Sequence, residues 1–220
     1  MMMLEDPYRW AEAVANRRDY IENQLRIGSP VVGIGYQDGA LLLTLGQGQQ
    51  KLFEVYDRIA MASIGHSADI EKLRQAGIDM AHQIGFNYSD ADVTLQQIVH
   101  FGLGPTVKTA FDEYIRSPYL VRILLAELGG IDDKKTFYTV DYDGAFYKTE
   151  GWGVLGGISE ADRAMRKYQE ELDETSLSLE AALKWALQVW VVGQFVGQLE
   201  EIPQEALEFE KLIKNADLDG

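Results

Sequence analysis

Two residues near the start of the chain are placed where their side chains could do chemistry. Ser29 follows Gly28 at the head of a strand–turn–strand pattern, Pro30-Val31-Val32-Gly33-Ile34-Gly35-Tyr36, then Asp38-Gly39, then Ala40 to Leu45. A serine hydroxyl there could serve as a nucleophile if a base took its proton. The cheapest base is a free α-amine, but 28 residues precede Ser29, so its nitrogen is a peptide amide. Cleavage between Gly28 and Ser29 would release it. The second residue is Lys51, which opens the next strand. An ammonium is a compact charge with three donors, suited to a carboxylate. By pattern alone it could equally solvate a strand edge.

The other reactive types carry less. His66, His82 and His100 are spaced too irregularly for a metal-binding helix motif, and His82 and His100 suit helix surfaces or a satisfied core. Gly33-x-Gly35 is followed by a strand, not a helix, which excludes a nucleotide loop. Trp152, Trp185 and Trp190 read as core or interface aromatics. No metal or cofactor is expected.

These residues need a scaffold of some size. The chain has 220 residues, 46% of them hydrophobic, enough for one sizeable core. It has no cysteine, which removes disulfides and thiolate chemistry. No run of 18 apolar residues occurs, and the start lacks the apolar region of a secretory signal. A cytoplasmic location is the expectation. The net charge of −15 disfavours nucleic acid and anionic membranes as partners. Much of the acid lies at 200–220, which reads as a solvated acidic tail.

Periodicity orders the elements. Tyr8 to Leu25 reads as a helix with Trp10, Val14, Tyr20, Ile21 and Leu25 as its stripe, ended by Gly28-Ser29-Pro30 at a C′ position. Asp38-Gly39 predicts a hairpin turn with positive φ. Leu41 to Leu45 is an apolar run but for Thr44, so both faces should be covered. Two further strands follow at Leu52–Phe53 and Arg58–Ile64. Ile70, Leu73, Gly77, Met80, Ala81 and Ile84 then keep helical spacing, with Ser67 as N-cap. A second helix runs through Leu95, Ile98, Val99, Gly102, Phe111 and Tyr114, interrupted at Pro105. Strands return at Tyr119–Leu128, Thr136–Tyr142 and Trp152–Leu155, with a tight turn at Asp143-Gly144. Helices at Ser159–Leu172 and Ser178–Leu199 close the order. The first has Ser159 and Asp162 as a capping-box-like pair, and the second has Leu179, Leu183, Leu187, Val191 and Phe195 on one face. Strand blocks that are each followed by a helix pair predict an α+β fold, a four-layer α-β-β-α sandwich in one domain.

This order resembles the proteasome family of N-terminal-nucleophile hydrolase folds, and within it the bacterial-style α-type subunits. The resemblance rests on Gly28 to Ile34, Asp38-Gly39, Gln50-Lys51-Leu52-Phe53, Tyr56-Asp57-Arg58-Ile59-Ala60 and Ala62-Ser63-Ile64-Gly65. It continues through Leu73 to Gly77, Asp92-Val93-Thr94, Tyr138 to Gly144 and Gly156-Gly157, and spans residues 8–195. The family's catalytic β subunits expose an N-terminal threonine tuned by an aspartate and a lysine. Here Leu45 stands where that aspartate belongs, and no lysine lies between Leu45 and Gln50. The resemblance therefore implies no catalytic residue.

What it implies instead is a non-catalytic ring subunit of a 20S core particle. Residues 8–27 would form the helix and gate region, 29–199 the sandwich and 200–220 the acidic tail. The archaeal and eukaryotic Tyr-Asp-Arg start and Ser-Pro-(Asp/Glu)-Gly turn are absent. Lys51 would receive an activator's C-terminal carboxylate in a pocket between neighbours, Gly65 would keep that pocket open, and Asp19, beside Tyr20, would orient Lys51 across the subunit boundary. Expected partners are identical subunits in a seven-membered ring, β subunits, an ATPase or other activator, and unfolded protein substrates. Two other readings stand beside it: a self-processed hydrolase using Ser29, and a diverged homo-oligomeric binding protein.

Overall fold

The computed structural model describes residues 7–46, 48–113, 116–129, 135–170 and 177–196. The gate start at 1–6 and the acidic tail at 200–220 lie outside them, as does Tyr114. The described elements run α1 (Pro7–Leu25), β1 (Val31–Tyr36), β2 (Gly39–Thr44), β3 (Leu52–Tyr56), β4 (Ile59–Gly65) and α2 (Ser67–Asn87). Then come α3 (Leu95–Gln97), a π-helical segment (Ile98–Leu103), α4 (Gly104–Asp112), β5 (Val121–Glu127), β6 (Thr136–Val140), β7 (Phe146–Glu150), β8 (Trp152–Leu155), α5 (Ser159–Gln169) and α6 (Leu179–Gln194).

The strands form two antiparallel sheets, β2-β1-β8 and β3-β4-β5-β6-β7. Side-chain alternation along each strand supplies two faces, and the structure fills both. Met61 and Ile123 pack with α2, α3 and α4 on one side, while Ala62, Leu124 and Phe137 meet Val31 and Leu155 of the other sheet. Val32, Ile34 and Val154 turn the opposite way, onto α5 and α6. The result is the expected four-layer sandwich. Leu42 faces the inter-sheet core and Leu41 and Leu43 face the helices, so β2 is covered on both sides as its composition predicts.

Two glycines create the tightest fit between the sheets. Gly33 and Gly153 are paired across β1 and β8. A Cβ on either would meet Phe137, at 2.6 Å from its ring for Gly33 and 3.1 Å from its Cβ for Gly153. The fully buried Phe137 therefore sits in a notch that only two hydrogens can leave open.

Several local expectations are corrected. The first hairpin turn is Gln37-Asp38, with Gly39 already paired to Tyr36. Gly28 is not a positive-φ cap; it is glycine because a Cβ would lie 2.1 Å from Ile64 Cγ2. The N-cap of α2 is His66, whose Nδ1 accepts from the Ala68 amide, rather than Ser67. In α1, Val14, Ile21 and Leu25 face inward while Trp10 and Tyr20 are exposed. On α6 the expected stripe holds in its middle: Leu187 and Val191 are buried together with Ala182, Ala186, Val189 and Gly193, and Leu183 packs against them, while Leu179 is exposed and Phe195 follows the helix end, 37% exposed. Small residues there admit Met165 of α5, whose sulfur lies 2.3 Å from where a Gly193 Cβ would be. The strand β7 was not anticipated. The break before Pro105 takes the form of the π-helical segment, with Pro105 in the first turn of α4.

Candidate functional site

Helix α1 caps the open end of the inter-sheet core and is fixed from three directions. The Arg17 guanidinium donates to the carbonyls of Phe111 and Glu113 (3.1 Å), groups that the end of α4 leaves without helical partners, and to the Arg116 carbonyl beyond it (2.9 Å). Tyr142 donates to Glu22 at 2.8 Å, and Arg18 pairs with Asp143. Burial, together with Glu22 accepting its proton and the nearby carboxylate charges, pushes the Tyr142 phenol well above its ordinary range. The phenol thus stays a donor at any physiological pH.

Past α1 the chain reaches Ser29. Its half-buried Oγ accepts from Trp190 Nε1–H at 3.0 Å and lies 3.4 Å from Thr44 Oγ1, which itself donates to the Pro30 carbonyl at 2.8 Å. An indole N–H and a hydroxyl take no proton at neutral pH, so neither partner can activate Ser29. Leu45 is 40% exposed beside this corner. Trp190 is thus part of the core and also a clasp on Ser29.

Lys51 stands in a different setting. With Gly65 it lines a cavity of about 260 Å³, whose other walls include Leu25, Gly28, Ile64 and His66. The structure therefore brings Lys51 and Gly65 together. Asp19 is exposed on α1 and is not among the residues lining this cavity. Lys51 is half-buried, and burial pulls its pKa down. Among the described residues its ammonium has no hydrogen-bond or ion-pair partner. A desolvated cation without a counter-ion is a place where an anion gains affinity. Gly65 is fixed by the backbone as well as by the cavity. Its φ is +141°, and a Cβ would lie 2.0 Å from the Leu120 carbonyl oxygen.

One polar group of consequence was missed from sequence. Arg122, 5% exposed on β5, donates to Asp141 through Nε and Nη2 (both 3.1 Å), to Asp162, and to the Gly156 carbonyl at 2.7 Å. Burial opposes its charge, but Asp162 and Asp141 outweigh burial and push the guanidinium pKa up. Asp162 also accepts from the Gly156 amide. It therefore anchors the Gly156-Gly157 turn to the large sheet and does not cap α5, whose N-cap Ile158 has no side-chain bond. The available signal was an arginine set among the apolar Val121, Ile123, Leu124 and Leu125, which demands a buried acid.

Neither the other histidines nor the strand glycines form a site. His82 stacks edge-on against Tyr56, and His100 lies against Tyr138 and Phe146. Among the described residues no acidic or histidine cluster could hold a metal, and no described helix is long and apolar enough to cross a membrane.

A four-layer sandwich with a helix capping the cleft between its sheets defines a class of protein. The chain belongs to the proteasome subunit family, whose sequence pattern it matches over residues 25–190. Its relatives narrow this to the α type. It is 30% identical to a proteasome subunit alpha of Acidothermus cellulolyticus over 90% of this chain and 83% of that protein. It is 30% identical to one of Thermomonospora curvata over 93% and 86%, and 29% identical to one of Streptomyces scabiei over 90% and 78%.

Proposed function

We propose that this chain is a non-catalytic α-type subunit forming the outer, seven-membered ring of a 20S proteasome core particle. The ring caps β subunits that carry the threonine chemistry, restricts substrate access to unfolded chains, and docks an ATPase or other activator for protein degradation in the cytoplasm. The observation that carries the docking role is the unpartnered, half-buried Lys51 sharing a cavity with Gly65. An activator's terminal carboxylate would supply the missing counter-charge and take up the three ammonium donors. Asp19 on the exposed side of α1 is left to act on a neighbouring subunit's Lys51. The Ser29 corner supports the non-catalytic assignment, because its hydroxyl is engaged by Trp190 and Thr44 rather than by a base.

The test is reconstitution with a β partner. Lys51→Ala is expected to abolish activator-stimulated degradation while leaving small-peptide hydrolysis intact, and unchanged stimulation would overturn the docking assignment. Electron micrographs of the chain with its β partner are expected to show seven-fold rings. The intact mass is expected to retain the residues before Ser29; a chain beginning at Ser29 would instead support a self-processed hydrolase.

A further inference from the structure

The Lys51 cavity has a neighbour on the far side of His66. The same histidine and Leu120 form walls of a second, larger cavity of about 690 Å³, bounded also by Tyr20 of α1, Lys72 of α2, Arg116 and Tyr119. On a chain of net charge −15 this cavity is locally basic. Its carboxylate, Asp69, is already engaged, accepting from the Leu120 amide at 3.0 Å. Lys72 is exposed. Arg116 is 77% exposed and pairs with Glu113 only at 3.5 Å, an arrangement that a better-placed anion readily displaces. His66 uses Nδ1 to accept from Ala68, so its Nε2–H is the donor at the junction of the two cavities. Tyr20, 53% exposed, and the half-buried Tyr119 add flat amphipathic walls.

We infer that the docking site is bipartite: it takes a peptide whose terminal carboxylate meets Lys51 and whose acidic side chain, a few residues upstream, enters the cavity between Lys72 and Arg116. The inference rests on the docking reading of Lys51 and extends it to the sequence of the docked peptide. A peptide suits the geometry better than a polyanion. The two cavities are separate basins joined at one wall, and the cations are few, whereas a nucleic acid needs a continuous basic track. An extended chain advances about 3.3 Å per residue, so a free C-terminus in the first basin brings one of the next few residues to the second.

The assembled ring is titrated with fluorescein-labelled alanine-rich heptapeptides, read by anisotropy at low salt. Each peptide ends in a free carboxylate or an amide and carries a single Glu or Gln walked through the four positions before the last. The expected result is that amidation weakens binding throughout, and that Glu is preferred over Gln about three- to fivefold at one position, the range of an exposed ion pair. Lys72→Gln and Arg116→Gln are expected to erase that preference and to leave the effect of amidation in place. Lys51→Gln is expected to do the reverse. Both exposed substitutions leave the core untouched. If amidation matters but Glu is nowhere preferred, or if the preference survives in both Lys72→Gln and Arg116→Gln, the second subsite is wrong and the Lys51 reading stands. If neither change alters binding, both fail.

Discussion

Ser29 and Lys51 lie on either side of the first hairpin, and they differ in what their polar atoms still have to do. The Ser29 hydroxyl is held by an indole N–H and set beside a threonine that is itself tied to the Pro30 carbonyl. Lys51 sits half-buried beside an open cavity with a charge that nothing described nearby offsets. A residue type that is reactive in principle is chemically quiet when its neighbours are structural. A residue type that is ordinary on a surface becomes a binding group once burial removes water from it and no counter-ion replaces the water. In this chain the corner at Ser29 is closed by structural partners, and the place one hairpin later is the open one.

The comparison can be broken most forcefully through the scaffold. Arg122→Leu takes the cation from Asp141 and the buried Asp162, leaves the Gly156 carbonyl without its donor, and is expected to cost about 3–5 kcal/mol, read by thermal or urea unfolding. Gly65→Ala is expected to be comparably damaging, because it adds a Cβ onto the Leu120 carbonyl at a positive φ. Its loss of activator response therefore cannot be assigned to the cavity alone, so Lys51 must carry that test.

Ser29→Ala strips the acceptor from Trp190 and is expected to lower stability by about 1 kcal/mol with degradation by the assembled particle unchanged. Loss of activity in a fully assembled Ser29→Ala particle would restore the nucleophile reading. Lys51→Met is expected to behave oppositely: the melting temperature rises slightly, since the apolar stem is kept and the unpaired charge removed, while activator response disappears. The smallest effect concerns Glu127. Burial raises its pKa, against the Leu95 amide and the charges of Arg58 and Lys148, which lower it. A raised carboxyl favours the fold below the unfolded carboxylate pKa, and that contribution is lost as pH rises through the folded value. Glu127→Gln is therefore expected to gain stability at neutral pH and none near pH 4, measured as Tm against pH.

The layer order was legible because its causes are local: apolar runs at strand period, helical spacing in α2, and Pro and Gly at the breaks. Strand β7 was not, since Phe146 to Glu150 alternates between exposed and half-exposed at a sheet edge and carries no buried run. On α6 the stripe of large side chains locates the buried Leu187 and Val191 but not Ala182, Ala186 and Gly193, because close packing against α5 selects small residues that carry no apolar signal of their own. Within the site, Lys51 and Gly65 were found by resemblance and converge in space. Their electrostatics were not legible, since desolvation depends on α1 and Leu120 closing over the cavity. Arg122 was overlooked because its two acids come from β6's end and from α5, far apart in sequence.

The π-helical segment at Ile98–Leu103 has a consequence for the lengths such chains can have. An α-helix turns about 100° per residue, so one inserted residue would swing everything after it away from the sheet. The wide turn here absorbs a residue: the Gly104 amide bonds to the Val99 carbonyl, five positions back, while Leu103, Val107 and Phe111 remain buried. A chain one residue shorter between 98 and 103 would close the segment into an ordinary helix with the same residues facing inward. The segment thus works as a splice where the helix layer can lose one residue without rotating the rest.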